Sequence, residues 1–231
     1  MAREQPEQQA PPVQRLRIRY AKRGRLRFTS HRDFSRALER ALRRAGIPMA
    51  YSSGFSPHPR ISYATASPTG AASEAEYLEI ALSKTCVPDL VARELDAALP
   101  PGLDVLAAVE AVPGSLADSL TASRWRIELG EIDAELVRLA VDRFLAVDSA
   151  VTERMTKNGL RSFDARESVL RLEPDGSSVQ VVCRHLTPLV RPDDVLSAMT
   201  RLTPEFAPEN PLITRLAQGT LDPSGEVVVP F

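Results

Sequence analysis

The chain carries little of the chemistry that depends on cysteine or histidine. Its 231 residues include two cysteines and three histidines. Cys86 and Cys183 stand far apart and neither belongs to a CxxC pair. The spacing therefore argues against an iron–sulfur cluster or a thiolate zinc site held by this chain alone, so no cofactor is expected here. Both thiols are expected to be unpaired and partly buried, as in a cytoplasmic protein. No apolar run approaches the roughly 18–20 residues of a spanning helix, so no membrane partner is expected. The opening MAREQPEQQAPPVQ has no apolar stretch of the kind export signals carry; residues 1–13 read as a disordered polar leader. Aromatics make up 5% of the chain, which leaves few rings for stacking on bases. The remainder, 43% hydrophobic and 26% charged, is ordinary globular composition.

Charge is abundant but unevenly placed. The net charge of −1 hides thirteen Lys/Arg against two acids between Gln14 and Ser62. An excess this lopsided concerns partners rather than fold, and favours a polyanion or an acidic surface meeting the first quarter of the chain.

Periodicity gives the organisation. RLRIRYA (15–21) alternates as a half-buried strand, and LRF (26–28) is expected to continue it after a KRG turn. Ser30 reads as the N-cap of a helix through about Ala45, ended by Gly46 and Pro48. Strands are expected at 61–64, 76–82 and 103–112, with a helix starting at Pro88. That order, βαββαβ, is ferredoxin-like: an antiparallel sheet with helices on one face and the other face available. The second half repeats it: a strand at 124–129, a helix at 132–147, a strand around VTERMT (151–156) and an inserted helical turn and strand at 164–173. A strand at 177–186, a helix at 191–202 and a strand at 211–221 complete the series. The reading is an α+β chain of tandem ferredoxin-like halves, a basic domain over 14–112 and a second domain over 124–221. A linker at 113–123 joins them and a tail spans 222–231.

On a helix turning about 100° per residue, Arg32, Arg36, Arg40 and Arg43 fall within about 80° of one another, with Arg44 at the edge of the stripe. Phe34, Leu38, Ala41, Leu42 and Ala45 take the opposite side. A solvated surface face is the plain reading of such a run. The preference for Arg, whose planar fork suits phosphate and carboxylate, points instead to an anion-binding ridge.

Two of the histidines lie in SHRD (30–33) and FSPHPRIS (55–62). Pro57 and Pro59 hold His58 in extended backbone, which lowers the entropy lost on binding. Sheet geometry suggests that the two segments form one site. Four uses are open: His31, His58 and Arg60 binding a phosphate or carboxylate; His31, Asp33 and His58 binding a metal; a His base oriented by Asp33 acting on Ser30 or a substrate; or a purely structural role. His185 reads as structural. Glu74 and Glu76 are candidate polar partners, either for the arginines or for a cationic ligand, and Lys22, Ser30 and Arg44 join the anion-binding candidates.

Several of these segments coincide with a known pattern: Lys22-Arg23-Gly24, Leu26-Arg27-Phe28-x-Ser30-His31-x-Asp33, Arg43-Arg44-Ala45-Gly46, and Gly54-Phe55-x-Pro57-His58-Pro59-Arg60-Ile61-Ser62, followed by Gly70, Ser73, Glu74 and Glu76. Together they resemble the radical-SAM-linked protein family, a bacterial family of uncharacterised function. The resemblance is dense over 15–83 and looser to about 202. Arg32 stands where relatives often have Leu, and Ser56 where they often have Asn. The resemblance implies a radical S-adenosylmethionine partner that carries the iron–sulfur cluster and S-adenosylmethionine. The chain is then expected to be an accessory subunit presenting RNA or a phosphorylated substrate, more a binder than an enzyme. A self-contained enzyme using His31, Asp33 and His58, and a protein-docking domain with no ligand of its own, are the alternatives.

Overall fold

A computed structural model describes residues 8–156 and 159–231. It is a mixed α+β fold with four α-helices among the described residues and sheets built from antiparallel pairs. The chain forms two units, one running to Asp118 and including Phe231, the other Ser119–Pro230. Part of the expected leader, residues 1–7, lies outside the described residues, and residues 8–13 contain no helix or strand.

In the first unit the order is β1 (Gln14–Lys22), α1 (His31–Arg44), β2 (Ile61–Tyr63), β3 (Ala72–Leu82), α2 (Pro88–Ala98) and β4 (Val105–Glu110). β1 pairs antiparallel with β3 on one side and β4 on the other, and β2 adds to β3, giving β4-β1-β3-β2. Alternation along β1 puts Leu16, Ile18 and Tyr20 on the core side, where Leu16 sits opposite Ile80 and Ile18 opposite Leu78. Phe34, Leu38 and Leu42 of α1 and Val91, Leu95 and Ala98 of α2 close that core. Tyr20 and Phe34 stack with ring centroids 4.5 Å apart.

The other face of this sheet is not open as expected. Arg17, Tyr77 and Ala81 on it are buried. The chain after β4 returns across it, so that Arg17 donates to the carbonyls of Val112 (3.0 Å) and Gly114 (2.6 Å). A buried guanidinium needs such acceptors, and the Val112–Gly114 carbonyls supply them. LRF also departs from expectation. Gly24 takes a positive φ of 53°, ending β1, and Gly24–Phe28 forms a 3-10 turn instead of a strand.

The second unit contains β5 (Ala122–Glu128), α3 (Ala134–Leu145), β6 (Val151–Thr156), β7 (Gly159–Asp164), β8 (Val169–Asp175), β9 (Ser178–Arg184), α4 (Pro192–Leu202), β10 (Leu212–Leu221) and β11 (Val227–Val228). Its main sheet runs β10-β5-β9-β8. VTERMT, expected as a strand of that sheet, pairs with β7 in a separate two-stranded hairpin among the described residues, and β8 takes its place. The expected tail is also structured: β11 pairs with Thr220 and Leu221 of β10. The backbones come so close that a Cβ added at Gly219 would sit 1.8 Å from the Val228 carbonyl oxygen. Gly219→Ala should therefore unseat β11, seen as faster proteolysis within 222–231; an unchanged cleavage pattern would contradict this.

Neither cysteine is in a disulfide, and burial pushes the Cys183 thiol up to about 12. His185 is structural. Its Nδ1 lies 2.6 Å from the Leu120 carbonyl oxygen, which can only accept, so that nitrogen carries the proton. Nε2 is then free to accept from Ser123 Oγ at 2.7 Å. Burial, helped by the charge of Arg215, holds the imidazole below its ordinary 6.5. The unfolded chain thus takes up a proton at higher pH than the folded one. The stability contributed by neutral His185 is complete above pH 6.5 and is lost as pH falls through the folded value. An NMR titration should place His185 below 6.5; a value at or above 6.5 would contradict the assignment.

Candidate functional site

Helix α1 is fixed at both ends by local hydrogen bonds. Ser30, its N-cap, accepts from the Asp33 amide at 3.2 Å and donates to Asp33 Oδ2 at 2.6 Å. Asp33 also places negative charge at the positive end of the helix. At the other end Gly46 takes φ 64°, and the Ile47 amide donates back to the Leu42 carbonyl at 3.1 Å. Between these caps Phe34, Leu38, Ala41 and Leu42 are buried, while Arg32, Arg36, Arg40, Arg43 and Arg44 are exposed. Arg44 donates to the Ala98 carbonyl at 3.3 Å. Arg32, Arg36, Arg40 and Arg43 have no ion pair or side-chain hydrogen bond among the described residues.

The other cations of this quarter are largely engaged inside the unit. Arg15 and Arg17 both reach Glu79, at 3.0 and 3.4 Å. Arg19 donates to the Glu74 carbonyl at 2.9 Å. Arg23 binds Glu74 and Asp104, each at 2.7 Å, and its pKa rises chiefly through the Glu74 hydrogen bond, with burial opposing. Lys22, expected to face an anion, is buried, its Nζ 3.4 Å from the Pro68 carbonyl oxygen. Glu76 is buried as well and accepts from the Ser67 amide at 3.0 Å. Glu74 is thus a partner of one of the arginines, Arg23, while Glu76 is held inside the unit.

The two histidine segments are not brought together. His31 is the first residue of α1, and its ring stands edge-on to Tyr63 with centroids 4.7 Å apart. Tyr63 is pushed above its ordinary pKa mainly by burial, with the Ser35 side chain opposing it and Glu39 adding to the effect. His58 is exposed in the loop before β2. Its amide donates to Ser52 Oγ (3.0 Å), and its carbonyl accepts from the Ser52 amide (2.8 Å). The next residue, Pro59, bridges to Tyr51 and faces Glu39, Arg43 and Gly46 in the last turns of α1. Tyr63, four residues further on, has reached the first turn. His31 therefore lies in the first turn of the fourteen-residue helix, while the loop that carries His58 comes beside its last turns at Pro59.

This geometry does not assemble a His31/Asp33/His58 metal site or acid–base pair. Asp33 is engaged with Ser30, and among the described residues no group of three or more His, Cys, Asp or Glu is placed to hold a metal. Arg60 lies with His58 but donates its Nε to the Tyr51 carbonyl at 3.0 Å, so it holds the loop in place.

Exposed rings flank the arginine row. Phe28 precedes the helix, 58% exposed, with the Arg27 guanidinium 4.5 Å over its face. Tyr51 (40%) and Phe55 (62%) follow it. A cavity of about 200 Å³ opens at the C-terminal end of α1, lined by Leu42, Ile47, Met49, Tyr51 and Pro59 with Glu39 and Arg43. Sequence reasoning missed this cavity. Its signal was Glu39 one turn before Arg43, followed by the Gly46 reversal that folds Ile47–Tyr51 back beneath both. The chemistry available is multidentate anion binding beside flat apolar surfaces.

No curated protein matches the chain. Among solved structures, an unknown protein from Galdieria sulphuraria aligns at 13% identity over 90% of this chain and 98% of that one, with a TM-score of 0.27. That score is too low to support an argument. Residues 15–192, a span that contains the whole arginine helix and the His58 loop, match the family described as "Uncharacterized protein conserved in bacteria (DUF2344)", and the chain belongs to that family.

Proposed function

We propose that the first unit binds single-stranded RNA along α1, and that the chain is an accessory subunit presenting this RNA to a radical S-adenosylmethionine protein in RNA modification or a related pathway. The observation that carries the RNA half is the division of the arginines. Those of β1 are held by Glu79, Glu74 and backbone carbonyls, while Arg32, Arg36, Arg40 and Arg43 are exposed and unpaired. Exposed ion pairs contribute only about 0–1 kcal/mol, so leaving these four guanidiniums unpaired costs the fold little and keeps them available to an anion. Phosphate contacts combined with ring platforms at both ends are the recurring means of gripping a single strand. His31 and His58 sit at the two ends of this track, where each can bind a phosphate separately.

The radical-SAM partnership rests on the resemblance of the SHRD and GFSPHPRIS segments, and the partner would supply the cluster and the S-adenosylmethionine. We read both units as ferredoxin-like, joined within 113–123. Support comes from the matching strand orders, β4-β1-β3-β2 and β10-β5-β9-β8, each with a helix after its first and third sheet strands. No helix of the described residues is long and apolar enough to cross a membrane, and we place the protein in the cytoplasm.

Three to four phosphate contacts at about 0.7 ions each predict a 20- to 50-fold loss of affinity for oligouridylate between 50 and 200 mM salt. The Arg36→Ala/Arg40→Ala/Arg43→Ala protein should bind at least about tenfold more weakly, with a salt slope lower by about 2. Binding equal to wild type would remove the RNA reading. Untagged protein should co-purify with a radical-SAM polypeptide both with and without nuclease treatment; its absence in both cases would sink the partnership.

A further inference from the structure

We infer that the cavity at the C-terminal end of α1 is a subsite for one unstacked guanine base of the bound strand, a proposal that rests on the RNA reading above. Its floor is Leu42, Ile47 and Met49, each at most 9% exposed, and Tyr51 and Pro59 form its wall. At about 200 Å³ it is smaller than the roughly 300–1,000 Å³ of pockets for drug-sized ligands, and suits a single flat ring system. Arg60 fixes the Tyr51 backbone, so the stacking surface is set before a ligand arrives.

The polar lining narrows the class. Glu39 and Arg43 are spaced i,i+4, which normally favours an ion pair on a helix. None forms here; both residues line the cavity, and neither side chain has a hydrogen bond or ion pair among the described residues. A carboxylate only accepts, through two oxygens. It is matched by a ligand with two parallel N–H donors, the fork arrangement that makes arginine–carboxylate pairs strong. Guanine presents that arrangement through N1–H and N2–H. Adenine and cytosine each turn a ring-nitrogen acceptor toward the carboxylate, and uracil flanks its one donor with two acceptors. Arg43 at the same mouth is placed for the phosphate of that nucleotide. The hollow of about 520 Å³ in the second unit includes Asp193 and Glu209 and no cation in its lining, so it does not suit a polyanion.

The test uses the full-length protein and fluorescein-labelled twelve-nucleotide RNAs: all uridine, or uridine with one central guanosine, adenosine or cytidine. The guanosine RNA should bind about tenfold more tightly than the others, within the range for a good bidentate base contact. Glu39→Gln should abolish that preference, so that the four RNAs bind within about twofold of one another, with a circular dichroism spectrum and melting transition like those of wild type showing that it is folded. Tyr51→Ala should weaken the guanosine RNA about fivefold or more. Salt-sensitive binding of all four RNAs without a guanosine preference, or a preference that survives Glu39→Gln, overturns the guanine site and leaves the RNA reading standing. Failure of wild type to bind any of the RNAs overturns both.

Discussion

The ion pairs of Glu79 with Arg15 and Arg17, and of Glu74 with Arg23, determine what the rest of the first unit can do. β1 places arginines on the far face of the sheet, and the return of the chain after β4 buries Arg17 there. A buried guanidinium without acceptors would cost several kcal/mol, whereas one with a carboxylate and carbonyls is tolerated. Glu79 and Glu74 are therefore committed to Arg15, Arg17 and Arg23, and Glu76 accepts from the Ser67 amide. Of the two acids between Gln14 and Ser62, Asp33 is taken up by the helix cap. The other, Glu39, lies on α1 itself and forms no ion pair with Arg43 among the described residues. The unpaired arginine row is thus a consequence of how the unit distributes its carboxylates.

That distribution gives the helix two distinct faces. The inner one is anchored by Phe34, Leu38 and Leu42 in the core. Ser30 and Gly46 fix its ends, so the row of guanidiniums is held on a rigid element rather than a mobile loop. A preorganised row loses less entropy on binding than the same residues on a flexible segment. The Gly46 reversal also brings Ile47, Met49 and Tyr51 under the last turn of the helix, where they line the cavity with Glu39 and Arg43.

Local signals were the legible ones. The alternation of RLRIRYA, the Ser30 cap and the Gly46 stop locate β1 and α1 to within a residue or two, and the helical stripe separates Arg36, Arg40 and Arg43 from Phe34 and Leu38 correctly. Features that depend on distant partners were not legible. Whether His31 meets His58 depends on where the loop after Pro48 rejoins the sheet, and the Tyr51–Pro59 bridge sets that at the far end of the helix. Glu74 and Glu76 differ by one β-strand repeat, yet one binds Arg23 and the other is buried against Ser67, a matter of depth in the sheet that alternation does not encode. VTERMT and the strand at 169–175 have similar patterns. Only the pairing of β6 with β7 shows which of the two lies outside the main sheet.

The central claim is that the unpaired arginines of α1, and not those of the strands, carry the binding surface. The most direct measurement follows arginine side-chain Nε–H resonances by NMR while a short oligouridylate is titrated into the ¹⁵N-labelled protein. The account predicts that Arg36, Arg40 and Arg43 shift together and saturate, while Arg17 and Arg23, held by Glu79, Glu74 and Asp104, stay in place. Shifts confined to the strand arginines, or none at all, would contradict it.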